Sequence, residues 1–340
     1  MGMPPLSSPL LIIQDQGFLR HDTGPDHPEG AWRLTTIAER LLSGHLADKV
    51  AAFVSRPAQR HELTAVHDEN YLLRFEEAAL TGRSHLDHPD NQICYDSYQA
   101  ALLAAGAGPT AIDLLEAGEG RAAFAAVRPP GHHAERSSAL GFCFLNNAAV
   151  AARYWQDRHR RRRVMIIDWD AHHGNGIQAA FEEDPEVFYL SIHEHPTWSF
   201  PGTGWSEERG CGPGRGATLN LPLPPGADDA ALLRLIEEKV APALAVFRPQ
   251  ALIIGAGFDG HRDDDMSGLA YSSQLYRRLG VLAASWAQTY CPGRLLSLLE
   301  GGYRPQILAR CVEYYLTGLL EYPSPVANQQ PQLNKERIKP

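Results

Sequence analysis

Asp168, Asp170 and His172 occupy alternate positions in IDWDAHHGNG, and Asp259 follows the apolar run ALIIGAG. Two carboxylates and one imidazole suit a divalent cation, and three protein ligands leave room for water, as in catalytic zinc sites. In an extended chain residues i, i+2 and i+4 project to one side. The spacing therefore predicts one crevice, with Asp170, His172 and Asp259 as metal ligands. Two carboxylates cancel the formal charge of the ion, so a water there needs a general base and a donor for the developing oxyanion. The tandem histidines His132 and His133 of RPPGHH offer the base, and Tyr303, on a Gly301-Gly302 turn, offers the donor. A carboxylate partner makes an imidazole more basic than an amide does. Asp168, left over from the metal set, is expected to orient His132, and Asn175 to accept a hydrogen bond from His133.

These residues need a scaffold that brings them together. The runs AAFAAV, VMIID, VFYLSIH, ALIIGAG and LLSLLEGG alternate with Ala-rich helical stretches. Continuous apolar strands of this kind are buried on both faces, which predicts an α/β fold with a central, mostly parallel sheet flanked by helices. In such sheets ligands bind beyond the carboxyl ends of the strands, where these His, Asp, Gly and Tyr residues fall. A single catalytic domain over residues 1–320 and a loose tail over 321–340 are expected, since the last stretch is rich in Pro, Gln and Asn.

The chain of 340 residues carries 31 Lys+Arg against 40 Asp+Glu, a net charge of −9, which argues against a broad nucleic-acid grip. Five cysteines without a CxxC pair suit a reducing compartment. The N-terminal stretch lacks a signal-peptide pattern, and no apolar run approaches the roughly 20 residues of a membrane span. A cytoplasmic protein is expected, with neither nucleic acid nor membrane as partner.

With HPEGAWRL, RPPGHH, GFCFLNN, IDWDAHHGNG, SIH, FPGTG, GAGFDGHRDDD and LEGGY in order from residue 27 to 303, the chain resembles the histone deacetylase family, within the arginase-deacetylase fold. The Asn175 variant of HHGNG and the LEGGY stretch are more similar to class II and bacterial branches. The resemblance implies a zinc-dependent amidohydrolase with one Zn²⁺ on Asp170, His172 and Asp259. It further implies His133 as general base, with His132 beside it, and Tyr303 as transition-state donor. Phe142, next to Gly141, and Phe200 correspond to the aromatic walls of a narrow acyl-lysine tunnel. A structural K⁺ or Na⁺ would use Asp168, Asp170, His172, Ser191 and Ile192, and a second would lie near Phe181, Asp184 and Val187.

On that resemblance the expected substrate is an acyl-lysine protein or peptide, the alternative being an acetylpolyamine or another small acylated amine. A third reading is a non-catalytic acyl-lysine binder, which would have no need of Tyr303. Polyamine-preferring relatives carry a glutamate where Met266 falls, which favours acyl-lysine. Asp87 and Asp90 both lie where relatives grip the substrate backbone, and Asp90 is taken as the substrate contact. The short loops at positions 81–96 lack the insertion some acetylpolyamine amidohydrolases use to dimerise, which leaves a homo-oligomer open. A binuclear manganese site of the arginase kind is not expected, because Gly174 and His261 stand where it needs further ligands. GAGFDG is not read as a nucleotide loop, since the acidic cluster behind it would repel a pyrophosphate. His27 and Glu29 are expected to tie down a loop.

Overall fold

The computed structural model describes residues 9–321. Its sheet contains eight parallel strands: β1 (Leu10–Ile13), β2 (Val50–Phe53), β3 (Ala122–Ala125), β4 (Val164–Asp168), β5 (Val187–Glu194), β6 (Thr218–Leu223), β7 (Ala251–Ala256) and β8 (Leu295–Leu299). Their order is β2-β1-β3-β8-β7-β4-β5-β6. The five strands legible in the sequence are contiguous here, β3-β8-β7-β4-β5, and they form the middle of the sheet. Every residue of β3, β4, β7 and β8 is buried, which is why these strands read as unbroken apolar runs.

The remaining strands gave a weaker signal for physical reasons. β2 is an edge strand with partly exposed residues. β6, at the other edge, contains Pro222, which can sit there because no further strand requires its amide hydrogen. β1 is buried but only four residues long.

Helices at Ser97–Ala117 and Asn147–His159 pack on each other and on the sheet, while those at Trp32–Ser43, Ser273–Tyr290 and Pro305–Glu321 form a second packed group. The 21-residue helix Ser97–Ala117 corrects the expectation that no segment matches a membrane span, for it is long and apolar enough by length and composition. Most of it is buried inside the molecule, as in the core helix of a compact domain. Glu321, assigned to the tail from sequence, instead ends the last helix and accepts from Arg277 Nε at 2.9 Å. Residues 322–340, the rest of that expected tail, lie outside the described residues.

The Asn pair of GFCFLNN has a structural explanation. Asn146 caps the helix Asn147–His159 by accepting from Ala149 N at 3.0 Å, and its amide donates to Ala134 O at 3.0 Å. Asn147 donates to Pro129 O at 3.2 Å. A side-chain cap of this kind stabilises a helix by about 1 kcal/mol. Here the same residues also fix the loop that carries the tandem histidines.

Candidate active site

The metal ligands expected from sequence converge. Asp170, His172 and Asp259 are buried, and one donor atom from each lies within 4.8 Å of the others. His172 Nδ1 stands 3.1 Å from both Asp170 Oδ1 and Asp259 Oδ2. Its Nε2–H donates to Met266 O at 3.1 Å, which fixes the tautomer and leaves Nδ1 for a metal. Ser267 Oγ donates to Asp259 O at 2.9 Å, so the loop after Asp259 braces two of the three ligands.

The geometry differs from the expected alternation in one respect. β4 ends at Asp168, and beyond it the chain turns. Asp170 N donates to Asp168 Oδ1 at 3.1 Å and His172 N to Asp170 Oδ1 at 2.9 Å. The three side chains are thus aimed by short side-chain-to-backbone hydrogen bonds rather than by strand pleating.

Burial of these carboxylates is costly unless positive charge meets them. Burial, with Asp170 close by, raises the Asp259 pKa. Despite its burial, His172 is raised well above the usual range by its hydrogen bonds to Asp170 and Asp259. A cation bound by two carboxylates and an imidazole nitrogen would relieve this crowding, and the donor set fits Zn²⁺.

The two tandem histidines occupy different electrostatic surroundings, their rings 3.9 Å apart. His132 Nδ1 lies 3.1 Å from Asp168 Oδ2, to which Tyr189 also donates at 3.3 Å. Burial opposes a charge on His132, but Asp170, Asp168 and Glu300 outweigh it and raise its pKa to about 10. His133 Nδ1 meets Asn175 Oδ1 at 2.8 Å, and Asn175 Nδ2 donates in turn to Glu135 Oε1 at 2.7 Å. Burial, joined by His132 and His172, drives the His133 pKa well below its usual value and keeps that ring neutral.

Tyr303 reaches the same space. Its amide donates to Asp264 Oδ2 at 2.6 Å, and its ring packs edge-on to Phe142 with centroids 5.8 Å apart. Burial pushes the phenol pKa well up, so the hydroxyl keeps its proton. The turn before it approaches the ligands closely: Gly301 N donates to Asp170 Oδ2 at 2.6 Å, and a Cβ on Gly301 would lie 2.1 Å from Asp259 Oδ2.

Phe142 and Phe200 flank Gly141, whose φ is +54° and whose Cβ, if present, would sit 2.4 Å from His133 Cδ2 and 2.8 Å from Phe200 Cε1. Glycine is required there, and Phe142 itself has φ +67°. The half-exposed Phe200 packs edge-on to His133 at 5.0 Å between centroids. Of the two rim aspartates, Asp87 is engaged, accepting from Ala139 N at 2.8 Å and from Arg74. Asp90 is exposed, and its carbonyl accepts from His27 Nε2 at 3.0 Å. His27 packs edge-on to Phe142 at 4.7 Å, so it links Asp90 to the aromatic wall.

Ser191 and Ile192 lie on β5, with Ser191 opposite Asp168 in register, as a cation site shared with Asp168, Asp170 and His172 would need. Around the second expected cation site, Asp184 N donates to Phe181 O at 2.9 Å and Val187 N to Asp184 O at 3.4 Å. The Asp184 carboxylate pairs with Arg153 at 2.5 Å, so a cation there would depend on backbone oxygens.

Sequence reasoning passed over the charges behind the site. Arg128 grips Glu29 with two hydrogen bonds of 2.9 Å, and Arg33 Nη1 reaches Glu29 Oε1 at 3.2 Å, all fully buried. Arg33 Nε also donates to Gly302 O at 2.8 Å, so this network holds the turn that carries Tyr303. Glu29 therefore does more than tie down a loop. The available signal was that Glu29, Arg33 and Arg128 fall inside HPEGAWRL and RPPGHH, two of the motifs that carry the resemblance. Asn91 was also missed; its side chain accepts from Phe142 N at 2.9 Å and anchors the wall.

Comparison with known proteins agrees with this geometry. The histone deacetylase domain model matches residues 27–319. The chain is 37% identical to a probable deacetylase of Archaeoglobus fulgidus, over 86% of this chain and 80% of that protein. It is 35% identical to the histone deacetylase-like amidohydrolase of Pseudomonas aeruginosa, over 88% and 79%. Against the human polyamine deacetylase HDAC10 identity is 34%, over 86% of this chain and 44% of that protein. The crystal structure of the HDA15 HD domain superposes with a TM-score of 0.85 at 32% identity, covering 94% of this chain and 90% of that one. The eight-stranded sheet is that of the arginase-deacetylase fold, and the chain belongs to the histone deacetylase family of deacetylase enzymes.

Proposed function

We propose that this chain hydrolyses the amide joining a short acyl group, acetyl above all, to the ε-nitrogen of lysine in proteins or peptides, with Zn²⁺ as its resident metal. The observation that carries the reading is an Asn-oriented His133 packed on Phe200 and a Tyr303 packed on Phe142, the latter joined through Gly301 to the donor set of Asp170, His172 and Asp259. A metal held there would supply Lewis acidity toward the amide carbonyl and toward water.

The side chains divide the remaining work. His133 accepts a proton from the attacking water at Nε2, because Nδ1 is engaged with Asn175 Oδ1. Tyr303 donates its hydroxyl hydrogen bond to the carbonyl oxygen as negative charge develops. Water oxygen bonds to the acyl carbon, the C–N bond breaks, and a protonated histidine returns a proton to the leaving amine. The products are a carboxylic acid and free lysine. Phe142 and Phe200 flank the aliphatic stem, and Asp90 at the rim is assigned to the substrate backbone.

Within the same reading a structural K⁺ or Na⁺ occupies the site of Asp168, Asp170, His172, Ser191 and Ile192. A cytoplasmic setting is supported by the five unpaired cysteines.

A second reading, an acylated polyamine as substrate, is favoured by the likeness to the human polyamine deacetylase. Acetate release from an acetyl-lysine peptide and from an acetylated diamine, measured side by side with the zinc-loaded protein, separates the two. Preference for the peptide is expected; preference for the diamine overturns the lysine assignment, and activity on neither overturns the acyl group proposed.

A further inference from the structure

Glu300 stands where β8 ends, beside β3, the strand that precedes the histidine loop. It is fully buried. Its Oε2 accepts from Gly131 N at 2.8 Å and from His132 N at 3.2 Å, so one carboxylate oxygen closes the turn that presents both histidines. Its carbonyl oxygen accepts from Arg33 Nη2, and the same guanidinium holds Gly302 O. The segment from Glu300 to Tyr303 thus contacts the histidine turn, the metal ligand Asp170 through Gly301, and Arg33.

We propose that Glu300 is a positioning residue for deacylation, whose side chain ties the turn of the tandem histidines to the segment that carries Tyr303. The proposal rests on the reading above, in which His133 and Tyr303 act together on one carbonyl. Its second oxygen, Oε1, has no partner among the described residues. One donor atom each from His132, Cys143 and Glu300 also lies within 4.8 Å of the others. The Cys143 thiol donates to Gly141 O at 3.3 Å, and burial raises its pKa well above the usual value. What the turn takes from Glu300 is an acceptor for two amides, which is distinct from the charge it presents to His132; burial pushes its carboxyl up to about 7.

That distinction sets the test. Glu300→Gln keeps an amide oxygen that can accept both hydrogen bonds, whereas Glu300→Met keeps the volume and removes the acceptor. Kinetics on the amide that the wild-type protein hydrolyses best should show kcat about 30- to 100-fold lower in Glu300→Met. KM should stay within about threefold and zinc content near the wild-type level, because the lost interaction orients catalytic groups rather than binding substrate. Glu300→Gln should recover most of the lost rate. A Glu300→Met enzyme with near-wild-type kcat overturns the proposal, as does a Gln variant as slow as the Met variant. Should Glu300→Met not fold, Glu300→Ala takes its place with the same expected split.

A readout independent of turnover separates this proposal from the function it rests on. In protein labelled with ¹⁵N-histidine, the downfield imidazole N–H proton of His132 toward Asp168 should persist in Glu300→Gln and shift or vanish in Glu300→Met. An unmoved resonance in Glu300→Met overturns the proposal even if no substrate has been found.

Discussion

On one side of the crevice, Asp168, Asp170 and Asp259 bring buried carboxylates around His132 and His172. Behind the turn that carries Tyr303, Arg33 and Arg128 close on Glu29 with hydrogen bonds of 2.9 to 3.2 Å. Both sides bury charge, but with opposite balance: three carboxylates face two imidazoles on the first, whereas two guanidiniums share one carboxylate on the second. The acidic side is built to receive a cation, and the arginine side is built to stay as it is while Tyr303 hangs from it. Removing the one anion that two buried guanidiniums share should therefore cost fold stability, whereas breaking the acidic side should cost metal and turnover.

The largest expected effect is on the acidic side. Asp259→Asn removes one ligand charge, and acetate release should drop by at least about three orders of magnitude with loss of bound zinc, read by metal analysis of the purified protein. If the variant keeps one zinc per chain and normal turnover, the ligand assignment fails.

Glu29→Gln probes the other side. Leaving Arg33 and Arg128 buried without their anion should cost about 3–5 kcal/mol of unfolding free energy, measured by denaturant titration. Burial works against the Glu29 charge, but Arg128 and Arg33 prevail and lower its pKa to about 2, against 4.5 for the free carboxyl. A depressed pKa gives stability that is fully present above about 4.5 and lost as pH falls toward 2. The gap between wild type and Glu29→Gln should accordingly narrow between pH 5 and about pH 3; a gap that widens with acid would contradict the pairing.

Tyr303→Phe should keep both fold and zinc and lower kcat by about two to three orders of magnitude, the usual loss for one oxyanion donor. Near-normal turnover would remove Tyr303 from the chemistry. The smallest effect belongs to Asn175→Ala, which frees His133 Nδ1 from its acceptor; about a tenfold loss in kcat is expected, and an unchanged rate would show that packing alone orients the ring.

The acidic side was legible in the sequence and the arginine side was not, for a physical reason. Asp170, His172 and Asp259 follow unbroken apolar strands, so their location at strand ends could be inferred from pattern alone. Asp168 and Asn175 could be assigned to His132 and His133 because each ring needs one acceptor. Glu29 and Arg33 lie four positions apart, but Arg128 joins them only through tertiary folding, 99 positions along the chain from Glu29, and no strand-end pattern pairs those segments. Asp87 and Asp90 share one short loop, so pattern alone did not distinguish them; in the structure Asp87 is engaged with Ala139 N and Arg74, and Asp90 is exposed. The edge strands β2 and β6 were hidden for a related reason, since partial exposure and Pro222 interrupt the apolar pattern.

The close approach of Gly301 to the ligands has a consequence for how the protein can be observed. Its amide hydrogen is buried and bonded at 2.6 Å to Oδ2 of Asp170, whose Oδ1 lies 3.1 Å from His172 Nδ1. The exchange rate of that single proton with solvent deuterium is governed by how often the turn opens. Exchange at Gly301 should therefore slow when a cation fixes the Asp170 carboxylate, a signal that needs neither substrate nor turnover.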